Sequence, residues 1–269
     1  MIGIIGQGFV GNAVFQKFKN FYKVNTYDLN SSLANSTYKE TIQNDIIFLC
    51  LPTPMNKDGS CNTDIIENEI RNIDSDQKIL IVKSTVIPGT VEKWNSTYRS
   101  KIVFNPEFLT ERNAVNDYDN QNRIILGGPE DSLSKIKTIF NNVFPNAKII
   151  KTDSTTAESV KYMTNAFLSV KVSFANEMYK LANSLNIDYD RLVEYAIYDE
   201  RLGSSHWNVP GPDGDFGFGG HCFPKDLSAL INLTKQKGTI NYVLKAALQT
   251  NDNVRNNRDW EKMKGRAVT

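Results

Sequence analysis

Cys222 is the residue of this chain that is best suited to nucleophilic chemistry. It is followed by Phe223, Pro224, Lys225 and Asp226. Proline is favoured at the start of a helix, so Pro224 predicts the first residue of a helix with Cys222 just outside its N-terminus. There the helix dipole and Lys225 would lower the pKa of the thiol and favour the thiolate. A thiolate attacks an aldehyde, and loss of hydride from the adduct gives a thioester.

The other cysteines and the histidines predict little chemistry. A buried structural thiol is the ordinary role of a lone cysteine, and it fits Cys50, inside a predicted strand, and Cys61 better than Cys222. Three scattered cysteines do not form a disulfide framework and fit a reducing, cytoplasmic compartment. The two histidines, His206 and His221, show no metal-ligand spacing with the cysteines, so no metal site is expected.

Four further polar residues could assist a nucleophile, and each has a structural alternative. Asp226 lies in the first turn after Cys222, where an acid also complements a helix dipole. Lys161 and Asn165 are four residues apart and point from one helix face, which is ordinarily a solvated face. Glu107 follows a predicted strand and a proline, at the sheet edge where ligands bind.

A glycine-rich turn follows the apolar residues 2–5 and precedes a helical pattern at residues 12–19. In that context each of three glycines has a role. Gly6 allows the tight turn, Gly8 lets the backbone approach a pyrophosphate, and Gly11 lets the helix pack closely on the strand. Asp28 ends the next strand, where a carboxylate binds ribose hydroxyls. Neither of the next two residues is basic, so the pattern favours NAD over NADP.

The composition excludes several classes of protein. The chain has 269 residues, with 31 Lys and Arg against 30 Asp and Glu. This balance gives no electrostatic reason to expect a nucleic acid or an anionic membrane as partner. No run approaches 18 apolar residues, and the N-terminus lacks the basic region of a signal peptide. The sequence predicts a soluble protein without a membrane span.

Short apolar segments alternate with helical ones along the first half of the chain, which predicts a parallel sheet built from βαβ units. The predicted strands are 2–5, 23–27, 45–51, 78–83, 101–104, 123–126 and 147–150, with a further helix at 130–142. The pattern then changes, and apolar residues recur at three- and four-residue steps from 154 to 186 without Pro or Gly. This predicts one helix of about 45 Å. Helices are expected also at 188–198, from Pro224 and near Tyr242, with domains at 1–152 and 153–269.

Four motifs in order resemble one known family. They are Leu51-Pro52-Thr53-Pro54, the segment from Lys83 to Thr90 (KSTVIPGT), Asn105-Pro106-Glu107-Phe108-Leu109, and the segment from Phe218 to Asp226 (FGGHCFPKD). These segments resemble the UDP-glucose/GDP-mannose dehydrogenases, and the match runs from Met1 to about Asn257. The resemblance implies an α/β fold, a Rossmann-like doubly wound parallel sheet, followed by an all-α domain with one long helix.

The resemblance also implies a reaction and a set of roles. The family oxidises a sugar primary alcohol to a carboxylate in two NAD-dependent steps, through a thioester on the cysteine of the last motif. Lys161 and Asn165 would stabilise the alkoxide and the thioester oxyanion, and Asp226 would position a water or accept a proton. Glu107 would activate water to hydrolyse the thioester, a role that is best served by a pKa near neutrality. The Thr85 hydroxyl would order a water or the cofactor carboxamide.

Binding residues follow by position in the same motifs. The cofactor-binding residues expected are Gly6, Gly8, Phe9, Val10, Gly11, Asp28, Pro52, Thr53 and Thr85. The substrate-binding residues expected are Glu107, Phe108, Leu109, Glu111, Lys161, Asn165 and Gly219. Glu111 has the alternative of a surface acid, because Arg112 and Asn113 follow it where the family commonly has glycine.

Substrate and partners are expected by resemblance as well. The substrate would be a nucleotide sugar, with oxidation of UDP-glucose to UDP-glucuronate as the expected reaction, and the long helix would form a homodimer. The family carries a third, C-terminal domain that helps to bind the nucleotide, and this chain is expected to lack it. Three accounts of a chain without that domain are open. Residues 203–220 could form a rebuilt nucleotide site, the substrate could be smaller, or a partner polypeptide could supply the missing part. The alternatives are a hydroxyacid dehydrogenase of the 3-hydroxyisobutyrate or 6-phosphogluconate type, and a non-catalytic NAD-binding protein.

Overall fold

The computed structural model describes residues 1–269, and the chain forms two compact units. Unit 1 comprises Met1–Thr53 and Thr63–Lys161, and unit 2 comprises Pro54–Asn62 and Tyr162–Thr269. The domain boundary at residue 152 stays a prediction; the compact units divide the chain further on, after Lys161. None of the helices combines the length and the apolar character that crossing a membrane requires.

Unit 1 is built on a seven-stranded sheet whose strands lie close to the predicted segments. They are β1 (Ile2–Ile5), β2 (Val24–Tyr27), β3 (Ile46–Leu49), β4 (Ile79–Val82), β5 (Lys101–Phe104), β6 (Arg123–Gly127) and β7 (Lys148–Thr152). Every residue of β1 and β4 is buried. Continuous apolar runs of this kind are typical of strands covered on both faces.

The strand order is β2-β1-β3-β4-β5-β6-β7, and the first five strands pair in parallel. The prediction of a wholly parallel sheet is wrong at one place, because β5 and β6 are antiparallel. A parallel pair needs a crossover that returns the chain across the sheet. Residues 105–122 contain only a three-residue 3-10 turn and the six-residue helix Ala114–Asp119. The chain therefore re-enters the sheet from the edge at which β5 ends.

Helices cover both faces of this sheet, which confirms the doubly wound class. They are α1 (Phe9–Phe18), α2 (Tyr38–Ile42), α3 (Asp64–Ile73), α4 (Thr90–Thr97), α5 (Ala114–Asp119) and α6 (Glu130–Val143). One core joins alternate strand residues to α1, α5 and α6, and includes the edge-packed rings of Phe18, Phe48 and Phe140. The other core joins the remaining strand residues to α3 and α4.

Helix α7 (Ser154–Ser184) is the predicted long helix, and α8 (Tyr189–Ala196), α9 (Phe223–Gln236) and α10 (Tyr242–Val254) follow it. The prediction extends α7 to residue 186, but Asn186 has φ of 56°, a left-handed conformation that ends a helix and that asparagine tolerates. Residues 54–62 join unit 2 because the Met55 N–H donates to the Ala267 carbonyl at 2.8 Å.

Candidate active site

The glycine turn after β1 has the geometry of a dinucleotide cradle. Gly6 has φ of +91°, and a Cβ there would lie 2.3 Å from the carbonyl oxygen of Cys50. A Cβ on Gly11 would lie 1.8 Å from the carbonyl oxygen of Gly6, so α1 packs on the turn only with glycine. A Cβ on Gly8 would meet no atom within 4 Å. Gly8 therefore borders open space at the start of α1, whose first turn begins at Phe9 and Val10 and has no acid.

Asp28 connects this turn to the end of β2. Its carboxylate accepts the backbone N–H of Gln7 at 2.7 Å and that of Asn30 at 2.8 Å. The open space beside Gly8 and the N-terminus of α1 suit the pyrophosphate of NAD, and the Asp28 carboxylate suits its ribose. The residues of unit 1 therefore fit the cofactor that the sequence predicts.

Thr53 and Thr85 lie where β3 and β4 end, and one hydrogen bond joins them. The Thr53 hydroxyl donates to the backbone carbonyl of Thr85 at 2.8 Å, and both residues are buried. Pro52, which precedes Thr53, is exposed. The structure thus brings the predicted cofactor residues of these two loops to the carboxyl edge of the sheet, where ligands bind in such folds.

Glu107 and Lys161 form a buried ion pair in unit 1. The Lys161 ammonium lies 2.8 Å from Oε1 of Glu107 and donates to the Glu107 backbone carbonyl at 2.6 Å. The other oxygen, Oε2, accepts the backbone N–H of Leu109 at 2.8 Å. Glu107 is 8% exposed and Lys161 is 3% exposed, which excludes a solvated helix face for Lys161.

The pKa of the Glu107 carboxyl is lowered despite its burial. Burial raises the pKa of this carboxyl, but the charge and hydrogen bond of Lys161, the N–H of Leu109 and the charge of Lys83 together outweigh burial and hold it below the usual range. Glu107 is therefore an ionised, paired carboxylate.

The neighbouring motif residues differ in their surroundings. Phe108 lies between two cations, with the Arg123 guanidinium 4.9 Å and the Lys161 ammonium 5.5 Å from its ring centre. Leu109 packs against the core that α1 and α6 share. Glu111 begins a 3-10 turn and is exposed. The structure thus brings Phe108 to the ion pair of Glu107.

Cys222 is the N-cap residue of α9 and is half-buried. Pro224 is the second residue of α9, because the helix begins at Phe223, one residue earlier than predicted. Cys50 has a different environment, since burial raises the pKa of its thiol to about 12 and keeps it protonated. Cys222 thus lies at the predicted helix N-terminus, and its reactivity stays a prediction, while the protonated thiol of Cys50 fits a structural role.

Asp226, one turn after Cys222, is the centre of a buried polar cluster in unit 2. The Asn165 amide donates to Oδ2 of Asp226 at 2.6 Å, and the Lys225 ammonium donates to Oδ1 at 2.5 Å. Burial alone lowers the pKa of Lys225, but the charges of Asp226, Cys222 and Cys61 outweigh it and hold the pKa above the usual value. The cluster therefore places a permanent cation beside the Cys222 thiol.

Gly219 has a packing role that the sequence did not reveal. A Cβ there would lie 2.1 Å from Nη2 of Arg255. Arg255 is buried and pairs with Asp213 at 2.8 Å and with Asp259 at 3.2 Å, while Asp259 accepts the Gly220 N–H at 3.0 Å. This cluster fixes the backbone two residues before Cys222. An isolated arginine after a helix gave no sequence signal for that role.

Two buried ionisable residues of unit 1 were also missed. The Lys83 ammonium donates to Oδ1 of Asn105 at 2.9 Å, and Glu158 accepts the backbone N–H groups of Gly89 and Val91 at 2.7 and 2.8 Å. Burial raises the pKa of Glu158 to about 7 despite these donors. The available signal was a lysine directly after the apolar strand β4, where a charge requires a partner.

Two family models match this chain. Residues 17–145 match the NAD binding domain of the UDP-glucose/GDP-mannose dehydrogenase family, and residues 155–253 match its central domain. Similar curated proteins include the UDP-glucose 6-dehydrogenase TuaD of Bacillus subtilis, 30% identical over 242 residues, which are 86% of this chain and 51% of that protein. The UDP-glucose 6-dehydrogenase AglM of Haloferax volcanii is 31% identical over 240 residues, 81% of this chain and 55% of that protein.

Solved structures agree with these matches. A UDP-glucose dehydrogenase from Pyrobaculum islandicum superposes with a TM-score of 0.83 at 27% identity, over 94% of this chain and 68% of that chain. A 3-hydroxyisobutyrate dehydrogenase from Mycobacterium tuberculosis, at 16% identity and a TM-score of 0.73, shares the fold alone, over 92% of this chain and 91% of that chain.

The doubly wound sheet and the glycine turn define a dinucleotide-binding protein, with NAD as its cofactor. Because the two family models together match most of its length, the chain belongs to the UDP-glucose/GDP-mannose dehydrogenase family. It spans about half the length of the curated relatives that it matches.

Proposed function

We propose that this chain oxidises the primary alcohol of a nucleotide sugar to the carboxylate in two NAD-dependent steps, with Cys222 as the covalent nucleophile. The observation on which this rests is the half-buried Cys222 at the N-cap of α9, beside the buried cluster of Asn165, Lys225 and Asp226. UDP-glucose is the proposed substrate, with UDP-glucuronate as product, because several relatives are named UDP-glucose 6-dehydrogenase.

Bound NAD supplies the hydride acceptor for both oxidations. In the first oxidation the alcohol loses a hydride and its hydroxyl proton, and Asp226 accepts that proton directly or through a water. The alkoxide that forms is stabilised by the Lys161 ammonium and the Asn165 amide, and such electrostatic stabilisation is commonly the largest catalytic contribution. The product of this step is an aldehyde.

The second oxidation requires Cys222. Its thiolate adds to the aldehyde carbon, and the resulting thiohemiacetal oxyanion loses a second hydride to become a thioester. Water then attacks the thioester carbonyl, Glu107 accepts the proton of that water, and the Cys222 thiolate leaves. One alcohol, one water and two NAD give one carboxylate, two NADH and three protons.

Lys161 has two partners in this sequence of steps. Its ammonium pairs with Glu107 in the structure, and in the proposed reaction it also binds a substrate oxygen. Engagement of Lys161 by the substrate would weaken its hold on Glu107 and leave that carboxylate free to accept a proton. The ion pair of Glu107 and Lys161 is thus consistent with a base that becomes free when the substrate binds Lys161.

We also propose a homodimer through α7. An exposed apolar stripe runs along this helix, with side chains between 48 and 75% exposed; its members are Met163, Phe167, Phe174 and Leu181. Contiguous exposed apolar surface is typical of protein interfaces. Light scattering is expected to give a dimer mass for the wild type and a monomer mass after Phe167→Ser with Leu181→Ser.

The experiment that tests the activity is NADH formation by the purified protein with a panel of nucleotide sugars and free hydroxyacids. We expect two NADH per UDP-glucose in the wild type and no acid product from Cys222→Ala. Turnover of a free hydroxyacid, with none of any nucleotide sugar, would contradict the proposal. A Cys222→Ala protein that still forms the acid would contradict the covalent route.

A further inference from the structure

Lys83 is a buried cation that the proposed reaction does not use. It follows β4 and is 2% exposed. Its ammonium donates to Oδ1 of Asn105 and lies 5.3 Å from the ring centre of Tyr118. The Asn105 amide donates in turn to the Ile125 carbonyl at 2.8 Å. Burying an ammonium among neutral groups is costly, so a charged partner is expected nearby.

Glu107 is the carboxylate whose charge acts on Lys83, although the ammonium itself contacts Asn105. The register of β4 and β5 pairs Val82 with Phe104, which places Lys83 beside Asn105, two residues before Glu107. Burial lowers the pKa of Lys83 to about 8, the charge of Lys161 lowers it further, and the charge of Glu107 raises it.

The charged and titratable groups around Glu107 come from five elements besides its own loop. They are Cys50 after β3, Lys83 after β4, Tyr118 on α5, Arg123 on β6, which stacks on Phe108, and Lys161 on α7. The charges of Lys161 and Lys83 both lower the pKa of Glu107, Lys161 by direct contact and Lys83 from behind Asn105.

We propose, on the basis of the proposed function, that Lys83 is a positioning residue that keeps Glu107 ionised and in place while Lys161 holds the substrate oxygen. A carboxylate released from its only lysine inside a protein takes up a proton and is no longer a base. Glu158 illustrates this within unit 1, because it has backbone N–H donors but no lysine, and its pKa is about 7. The charge of Lys83 keeps Glu107 from taking up a proton in this way.

The first test does not depend on turnover. The pKa of Glu107 is measured by carbon-13 NMR of labelled glutamate side chains, with Glu107→Gln to assign the signal. Lys83→Met and Lys83→Gln remove the charge, and Lys83→Gln keeps a donor for Asn105 in case the methionine variant does not fold. The matched control is Lys101→Met, which removes an exposed lysine at the start of β5.

We expect the pKa of Glu107 to rise by about one unit or more in both Lys83 variants and to stay unchanged in the control. An unchanged pKa of Glu107 in a folded Lys83→Gln protein would overturn the proposal. This result stands whether or not the protein oxidises a nucleotide sugar, so it separates a failure of Lys83 from a failure of the proposed function.

The second test uses the reaction. Hydrolysis of the thioester on Cys222 is followed as a function of pH in single turnovers. Removal of the Lys83 charge should move the acidic limb upward by about one unit, so that hydrolysis below the limb is roughly tenfold slower and hydrolysis above it is unchanged. A loss of rate that is equal at every pH would indicate a merely structural lysine and contradict the proposal.

Discussion

The two units of this molecule bury one lysine-paired carboxylate each, and they do so in different ways. In unit 2, Asp226 and Lys225 are adjacent on one helix, and Asn165 holds the second carboxylate oxygen. In unit 1, Glu107 stands on a loop after β5, and Lys161 comes from α7, 54 residues away in sequence. The first pair is fixed by its helix, whereas the second can separate. We infer that a bound substrate can separate Glu107 from its lysine, whereas Asp226 keeps its lysine throughout the reaction.

A third buried carboxylate sharpens this comparison. Glu158 is fully buried and accepts two backbone N–H groups, but no lysine pairs with it. Burial raises its pKa to about 7, whereas Glu107, which is also buried, has a lowered pKa. Backbone donors alone do not offset the cost of burying a carboxylate here, and a lysine does.

The largest expected effect is the loss of acid formation in Cys222→Ala. Without the thiolate no thioester can form, so acid formation should fall below detection, while NAD affinity stays at the wild-type value because unit 1 is unchanged. Product analysis and NAD titration check the two halves of this prediction. The matched control is Cys50→Ala, which removes a thiol that burial keeps protonated and should retain acid formation.

Removal of the separable lysine should have the next largest effect. Lys161→Met leaves the Glu107 carboxylate without its contact partner and removes the cation for the alkoxide. We expect kcat to fall by about 10²–10³-fold and the free energy of unfolding by about 3 kcal/mol. Denaturant unfolding and steady-state kinetics measure both. If Lys161→Met and Lys225→Met lowered kcat equally, the proposed distinction between the two pairs would be wrong.

Two glycines of unit 1 form a matched pair with a smaller effect. Gly8→Ala places a methyl group in open space, so the fold should keep its stability while NAD affinity falls by roughly tenfold. Gly11→Ala forces a Cβ against the Gly6 carbonyl and should lower the free energy of unfolding by about 1–3 kcal/mol. Calorimetry of NAD binding and thermal unfolding distinguish them. Alkylation of Cys222 should be unchanged in Gly8→Ala.

The smallest expected effect is on the pH dependence of stability. The pKa of Glu158 is raised on folding, so its contribution to stability is present below about pH 4.5 and is lost as the pH rises toward 7. The contribution of Glu107 to stability changes with pH in the opposite direction. Because its pKa is lowered on folding, this contribution is present above the pKa of the unfolded state and is lost on acidification.

The comparison of Glu158→Gln with the wild type isolates the first effect. Between pH 4.5 and 7 the wild type should lose roughly 2 kcal/mol relative to the variant. Urea unfolding at several pH values measures this difference. Parallel stability curves for the two proteins over this range would show that Glu158 is not held with a raised pKa.

The sequence predicts most of this fold because its signals are local. Apolar runs define all seven strands, and the glycine turn requires no distant partner. The antiparallel entry of β6 was not predictable, because it depends on how the short α5 returns the chain. The short helices α2 to α5 were missed for a related reason: α2, α4 and α5 span at most eight residues and offer little periodicity.

The sequence singled out candidate site residues but not the partners of their side chains. Cys222, Asp226 and Glu107 came from motifs, and Lys161 and Asn165 from their spacing on the long helix. The direction of the Glu107 pKa was not predictable because it depends on Lys161 and Lys83, which are distant in sequence and meet only in the folded unit. Arg255 likewise braces Gly219 through contacts that no local pattern indicates.

The most direct test of the covalent route is the mass of the Cys222 peptide after Glu107→Gln protein has reacted with UDP-glucose and NAD. Glu107→Gln removes the base that hydrolyses the thioester and should leave the earlier steps intact. We predict one acyl nucleotide sugar bound to Cys222 per chain, released by hydroxylamine, with about two NADH formed for each adduct. An unmodified Cys222 in a variant that still forms two NADH and free acid would contradict the account.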